Sequence, residues 1–286
     1  MTDKTGSMDV VAAVVAFVEL RGVRVDDPIV LQATNNVVVW LSPSEIVAKI
    51  AINSNRASDE LLAVRKLHAS GAPVIPPAPM LGDVVHRVDG HDVTFWTYVP
   101  QDTASSPSSR AVATALAALH SVMNDPPTQG DLRLPSFDAP IVDTVASLDR
   151  ESFAPELKSP DRVVLRHALN DGQRLLADRS KWQVIHGSPH RFNILIADHS
   201  PVFIDFETLA VGPVEWDLAH LEPDVRTHYP GPIDDRLLTS LRIVVSAMTS
   251  AQCWHSIDRG PDMRRHAEHH LEIVRAAHGE KMARPT

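Results

Sequence analysis

His186-Gly187-Ser188-Pro189-His190-Arg191-Phe192-Asn193, followed by Phe203-Ile204-Asp205-Phe206-Glu207, is the stretch on which the fold turns. Val184-Ile185 reads as a short strand feeding a loop that ends at Asn193. Ile194-Leu195-Ile196 and Val202-Phe203-Ile204 are further apolar runs, each bounded by turn residues. A hairpin there returns the chain to Asp205, so Asn193 and Asp205 are expected to converge at one end of a small sheet. Alone, Asn193 is a turn residue and Asp205 a strand-end cap. Together, an amide oxygen and a carboxylate are hard ligands suited to a Mg2+ ion completed by water and phosphate.

Upstream, residues 10–20 read as a short helix. Residues 28–33 and 36–41 are β-branched strands meeting at a turn through Thr34-Asn35, and Ile46–Ile50 is a third strand. Ser58 is placed as the N-cap of a helix carrying Leu61, Val64 and Leu67, which Gly71 and Pro73 stop. Val84–Arg87 and Val93–Val99 are two more strands joined at Asp89-Gly90. Lys49 ends an apolar strand and Glu60 opens the next helix. A lysine–glutamate pair across strand and helix can hold an ammonium against nucleotide phosphates.

Residues 101–109 are polar and turn-rich and read as a connector. Helices are expected over 110–122, 161–177, 234–250 and 261–278, with one small sheet among them. The expected architecture is α+β in two lobes: a mainly β nucleotide-binding lobe over 1–100 with one key helix, and a mainly helical catalytic and substrate-binding lobe over 101–286.

The chain has 286 residues, 44% hydrophobic and 22% charged, as in a globular protein. Its net charge of −9 argues against broad nucleic-acid binding or an anionic membrane partner and favours a cationic small molecule. The longest apolar run, Val10–Val18, is too short to cross a bilayer, and the N-terminus lacks a signal-peptide pattern. The expected location is the cytoplasm. A lone cysteine, Cys253, excludes an internal disulfide and a cysteine metal cluster. Cys253-Trp254-His255 reads as core packing, and His266, His269 and His270 as a solvated helix face.

The 186–219 block resembles the aminoglycoside phosphotransferase family, a branch of the protein-kinase-like fold. That family's catalytic loop reads H-G-D-x-x-x-x-N, followed by an I-D-F segment and a W-D-L-A helix start. Here the matching positions are His186, Gly187, Asn193, Asp205 and, within Trp216-Asp217-Leu218-Ala219, Asp217. The resemblance implies ATP as donor, Mg2+ and a small-molecule hydroxyl as acceptor. It implies that Lys49 contacts the α/β-phosphates with Glu60 positioning it. The backbone of Thr97, Tyr98 and Val99, at a hinge, would bond the adenine. Asn193 and Asp205 would carry Mg2+, and His186 and Asp217 would brace the catalytic loop.

The sequence departs from the family pattern in two places. The family's catalytic aspartate falls at Ser188, and a serine is no base near neutral pH. His190 and Glu207 are candidate replacements. The turn near residue 35 has no glycine-rich loop, so Asn35 and Asn36 would have to form it. The alternative to a small-molecule kinase is therefore a nucleotide-binding pseudokinase acting as sensor or scaffold.

Overall fold

A computed structural model describes residues 4–33, 36–52, 56–81, 84–101, 106–124, 134–175 and 179–283. The Thr34-Asn35 turn lies outside them. By packing, the chain divides into two compact units. Residues 1–133 and 191–208 form the first, residues 134–190 and 209–286 the second. A cut by chain order at residue 100 and this grouping are different partitions.

The first unit is built on a five-stranded antiparallel sheet: β1 (Val25–Ala33), β2 (Asn36–Pro43), β3 (Ile46–Ala51), β4 (His86–Val88) and β5 (His91–Thr97), in the order β1-β2-β3-β5-β4. Helix α1 (Lys4–Glu19) covers one face. Its Val10, Val14 and Val18 recur every fourth residue, line up on one side, and are buried against Val39, Leu41, Ala48, Ile50 and Phe95. Asp89 and Gly90 both take positive φ, 46° and 77°, the conformation a tight hairpin turn demands.

Helix α2 (Ala57–Ala69) follows β3 and buries Glu60, Leu61, Val64 and Leu67. Ser58 is not its cap. The helix starts two residues earlier than a Ser58 cap would place it, with Arg56 at the N-cap and no side-chain capping bond, and Ser58 sits in the first turn. Helix α3 (Ser109–Met123), capped by Ser108 accepting from Ala111 N–H at 3.2 Å, also belongs to this unit.

The second unit contains α4 (Ala139–Leu148), α5 (Ser159–Arg174), the ladder of β6 (Gln183–Ile185) with β9 (Ala210–Gly212), and helices α6 (Val214–Ala219), α7 (Pro223–His228), α8 (Asp235–His255) and α9 (Pro261–Ala283). Leu165, Leu169, Leu241, Val244, Leu271 and Val274 form its interior. Gly172 permits the close approach of α5 to α8, because a Cβ there would lie 2.2 Å from a Val244 methyl. Of the segment expected to pack in the core, Trp254 is buried, whereas Cys253 is half-buried and His255 is exposed, stacking on Phe153 at 4.4 Å.

The expected single small sheet is two separate ladders. β7 (Ile194–Ala197) and β8 (Ser200–Phe203) pair with each other and join the first unit, where Phe203 N–H donates to Pro73 O at 2.8 Å. β6 instead pairs with β9, a partner the sequence reading did not contain.

Candidate active site

Side chains alternate across β3. Ile46, Ala48 and Ile50 enter the core beneath α1, while Val47 and Lys49 face the opposite side. There they line a cavity of about 510 Å³ that lies within the first unit. The Lys49 ammonium bonds both Glu60 oxygens, at 2.9 and 2.8 Å, and Asp205 Oδ1 at 2.7 Å, and Glu207 Oε1 lies 3.1 Å away. Glu60 is buried and also accepts the Phe206 N–H at 3.0 Å. Glu207 accepts from the Asn36 amide at 2.9 Å.

This cluster sets its own protonation. Burial works against the Lys49 charge, but the carboxylates of Glu60, Asp205 and Glu207 outweigh it and hold the lysine above its ordinary value. Burial is the main force on Glu60, with Asp205 and Glu207 adding to it, and Lys49 opposes them. The carboxyl is pushed up to about 7.

Asn193 closes the short helical turn Arg191–Asn193 at the start of β7. Its carbonyl accepts the Ile204 N–H at 3.0 Å, which pins the two ends of the β7–β8 hairpin side by side. Asp205 follows directly, with φ of 65°, a left-handed conformation uncommon for a residue other than glycine. Asn193 and Asp205 thus line the cavity that also holds Lys49 and Glu60. Thr97, Tyr98 and Val99 line it too. The Tyr98 N–H is already given to Glu45 O at 3.0 Å, and its ring stacks on Trp40 at 4.1 Å, so its backbone N–H is not turned to the cavity.

In the second unit the loop after β6 is tied to α6. The buried Asp217 carboxylate accepts the backbone N–H groups of His186 and Gly187, each at 2.8 Å. The Trp216 indole donates to Gly187 O at 2.7 Å. Gly187 has φ of 90°, which suits a residue without Cβ. His186 Nδ1 accepts from Ser188 N–H at 3.4 Å. The brace therefore runs from Asp217 to the loop backbone, with the imidazole of His186 bonding inside the loop. Ser188 and His190 are both half-buried. His220 packs edge-on to Trp216 at 5.1 Å. Its Nε2 is buried without a hydrogen-bond partner, and burial pulls its pKa down to about 4 against the pull of Asp217. Tyr229 is pushed up to about 12 by burial, then by Asp217 and Glu215.

A second cavity, also about 510 Å³, lies in the second unit between α4 and α8, where Asp143, Ser147, Gln252 and Cys253 line it. Sequence reasoning missed the contact of Glu207 with Lys49, the anchoring of Glu207 by Asn36, and Gln101, which joins the segment after β5 to β7. Glu207 stands two residues after Asp205, and that spacing was the available signal.

Residues 28–249 match the profile of the phosphotransferase enzyme family, APH. The chain belongs to this family. Solved structures with the two-part kinase-like fold, an antiparallel sheet unit and a helical unit, are similar to it. A spectinomycin phosphotransferase in complex with ADP and spectinomycin has a TM-score of 0.65 at 15% identity, covering 91% of this chain and 97% of the other. An aminoglycoside phosphotransferase in its GDP and kanamycin complex has a TM-score of 0.65 at 16% identity, covering 93% and 98%. A choline kinase from Streptococcus pneumoniae has a TM-score of 0.66 at 14% identity, covering 91% and 96%. None of the curated proteins matches the chain significantly. Among the described residues no helix is long and apolar enough to cross a membrane.

Proposed function

We propose that this APH-family chain is a cytoplasmic small-molecule kinase that transfers the γ-phosphoryl group of ATP to a hydroxyl of a polar, cationic compound of the aminoglycoside type. The observation that carries the reading is the Lys49 ammonium, bonded to Glu60 and Asp205 in a cavity that Asn193 also lines. A buried cation among acids, beside an amide, is what a triphosphate site requires.

The donor set fits a divalent ion. Asp205 and Asn193 offer hard oxygens, and the Glu60, Asp205 and Glu207 carboxylates lie within 4.8 Å of one another. Asn193 and Asp205 would hold Mg2+, which supplies charge neutralisation on the phosphates when bound. Lys49 would meet the α/β-phosphates, and Glu60, fixed by the Phe206 N–H, would keep it extended. Thr97 and Val99 would bond the base. Asp217 would hold the His186–Ser188 loop in shape through two backbone N–H groups.

In the transfer, the acceptor oxygen forms a bond to the γ-phosphorus, the bond to the β-phosphate oxygen breaks, and the hydroxyl proton leaves. Ser188 can hydrogen-bond the hydroxyl but cannot take that proton near neutral pH. A general base contributes about 10²–10⁴-fold, whereas positioning and charge neutralisation supply most of phosphoryl transfer. Ser188 therefore fits a slower enzyme, with His190 as the candidate base.

Ser188 also supports the second reading, a nucleotide-binding pseudokinase. Turnover of Mg·ATP against a library of hydroxylated amines separates the two. ATP consumption that depends on acceptor supports the kinase. Binding without turnover supports the pseudokinase, and Ser188→Asp should then raise transfer by orders of magnitude.

A further inference from the structure

Asn36, which the sequence reading puts at a turn, is the first residue of β2, stands opposite Ala51 on β3 and is buried. We propose that Asn36 is a positioning residue for phosphate binding, acting through Glu207 to hold the Lys49 ammonium in place. The inference rests on the nucleotide reading of the cavity given above and adds a residue which that reading does not use.

Strand alternation sets the direction of its side chain. Val37, Val39 and Leu41 enter the core beneath α1, so Asn36 and Val38 take the other face, where both line the Lys49 cavity. Val38 stands opposite Lys49 itself. An asparagine at this buried place is only half satisfied. Its Nδ2 donates to Glu207 Oε1 at 2.9 Å, but its Oδ1 is buried with no hydrogen-bond partner among the described residues. The penalty for the orphaned oxygen is of the same size as the gain from the bond. A valine, as at 37 to 39, would suit strand and burial and leave no orphaned atom. Stability therefore does not account for the amide, and the contact with Glu207 does.

Glu207 depends on that contact for its orientation. The Lys49 ammonium has three hydrogens, and it bonds Glu60 twice and Asp205 once. Glu207 Oε1 stands 3.1 Å from Nζ as a charge contact, which attracts without aiming the carboxylate. The directional bond on that same oxygen comes from Asn36. Among the three acids Asp205 is the most exposed, at 38% against 18% for Glu207 and 3% for Glu60, and it is the one assigned to the divalent ion. When Asp205 turns to that ion, one Lys49 hydrogen is released for a phosphate oxygen. Glu60 then holds the ammonium from α2, and Glu207 holds it from the short turn Phe206–Thr208. Without the Asn36 amide, the Glu207 carboxylate can rotate off Lys49 and toward the phosphates, where like charges repel.

The test is calorimetric titration of the full-length protein with ATP and Mg2+, in the wild type, Asn36→Val, Glu207→Ala and the double variant, with the urea midpoint of each measured alongside. Asn36→Val should bind ATP about tenfold more weakly while its midpoint changes little, because the lost bond and the lost orphan offset each other. A purely structural residue would move the midpoint as well. Glu207→Ala should weaken ATP comparably, and adding Asn36→Val to it should weaken binding no further. Asn36→Ala gives the same comparison if valine distorts the strand. Losses that add in the double variant would make Asn36 act independently of Glu207. Undiminished ATP affinity in Asn36→Val and Asn36→Ala would leave it no role. Either result overturns the proposal with the nucleotide site intact. No ATP binding by the wild type at millimolar concentration would remove the site reading and the role of Asn36 with it.

Discussion

Lys49 and Glu60 form a bidentate ion pair with contacts of 2.9 and 2.8 Å, in which the carboxylate is buried and also accepts the Phe206 N–H. The pair joins the central strand of the first unit's sheet to α2, and through Phe206 to the Asp205 segment. Removing one partner of a buried pair strands the other charge, at a cost of about 3–5 kcal/mol. Asp205 and Glu207 carboxylates would lose their cation as well. Lys49→Ala should therefore lower unfolding free energy by about that amount in urea titration, and Glu60→Gln by less, because Lys49 keeps Asp205. Equal stability of Lys49→Ala and wild type would mean the pair is solvated.

Asp217 supplies the acceptors for His186 and Gly187 N–H and is fully buried. Hydrogen bonds to a charged group contribute about 1.5–3 kcal/mol each. Asp217→Ala should destabilise the protein by about 3–6 kcal/mol in denaturant titration, with Asp217→Asn milder because one acceptor oxygen remains.

His220 gives the second unit a pH dependence with a defined sign. Its folded pKa lies near 4, below the ordinary 6.5, so the unfolded chain binds the proton more readily. Stability is full above about pH 6.5 and falls as pH drops toward 4, by on the order of 2–3 kcal/mol. Urea titrations at stepped pH should show that slope in the wild type and a flatter one in His220→Gln. An unchanged slope in the variant would assign the dependence to other groups.

Much of this was legible because it is local. Lys49 was readable from β-branched neighbours and strand position, and Asp89-Gly90 from turn chemistry that positive φ requires. The Asn193–Asp205 convergence followed from a hairpin of short span. What was missed depends on distant partners. β6 pairs with β9 across the β7–β8 hairpin, so apolar runs alone suggested one sheet where there are two. Helix α4, with Pro140 near its start, carries no capping bond from Asp138 and did not announce itself. Ser58 had the chemistry of a cap, but α2 starts at Ala57, one residue before it. The engagement of Tyr98 N–H and the link from Gln101 to Ile196 are set by neighbours far along the chain.

Asp205→Asn tests the divalent role separately from the lysine. It keeps an acceptor for Lys49 but lowers the charge offered to a cation. ADP affinity measured with Mg2+ should fall by about tenfold or more, while affinity in EDTA changes little. Equal losses under both conditions would assign Asp205 to the nucleotide and not to the ion.

The most direct measurement is ATP binding to the wild-type protein by calorimetry, with and without Mg2+, beside Lys49→Met. The account predicts saturable binding that Mg2+ strengthens and that the variant abolishes while remaining folded. ATP binding absent at millimolar concentration, or binding indifferent to both Mg2+ and Lys49, would contradict it.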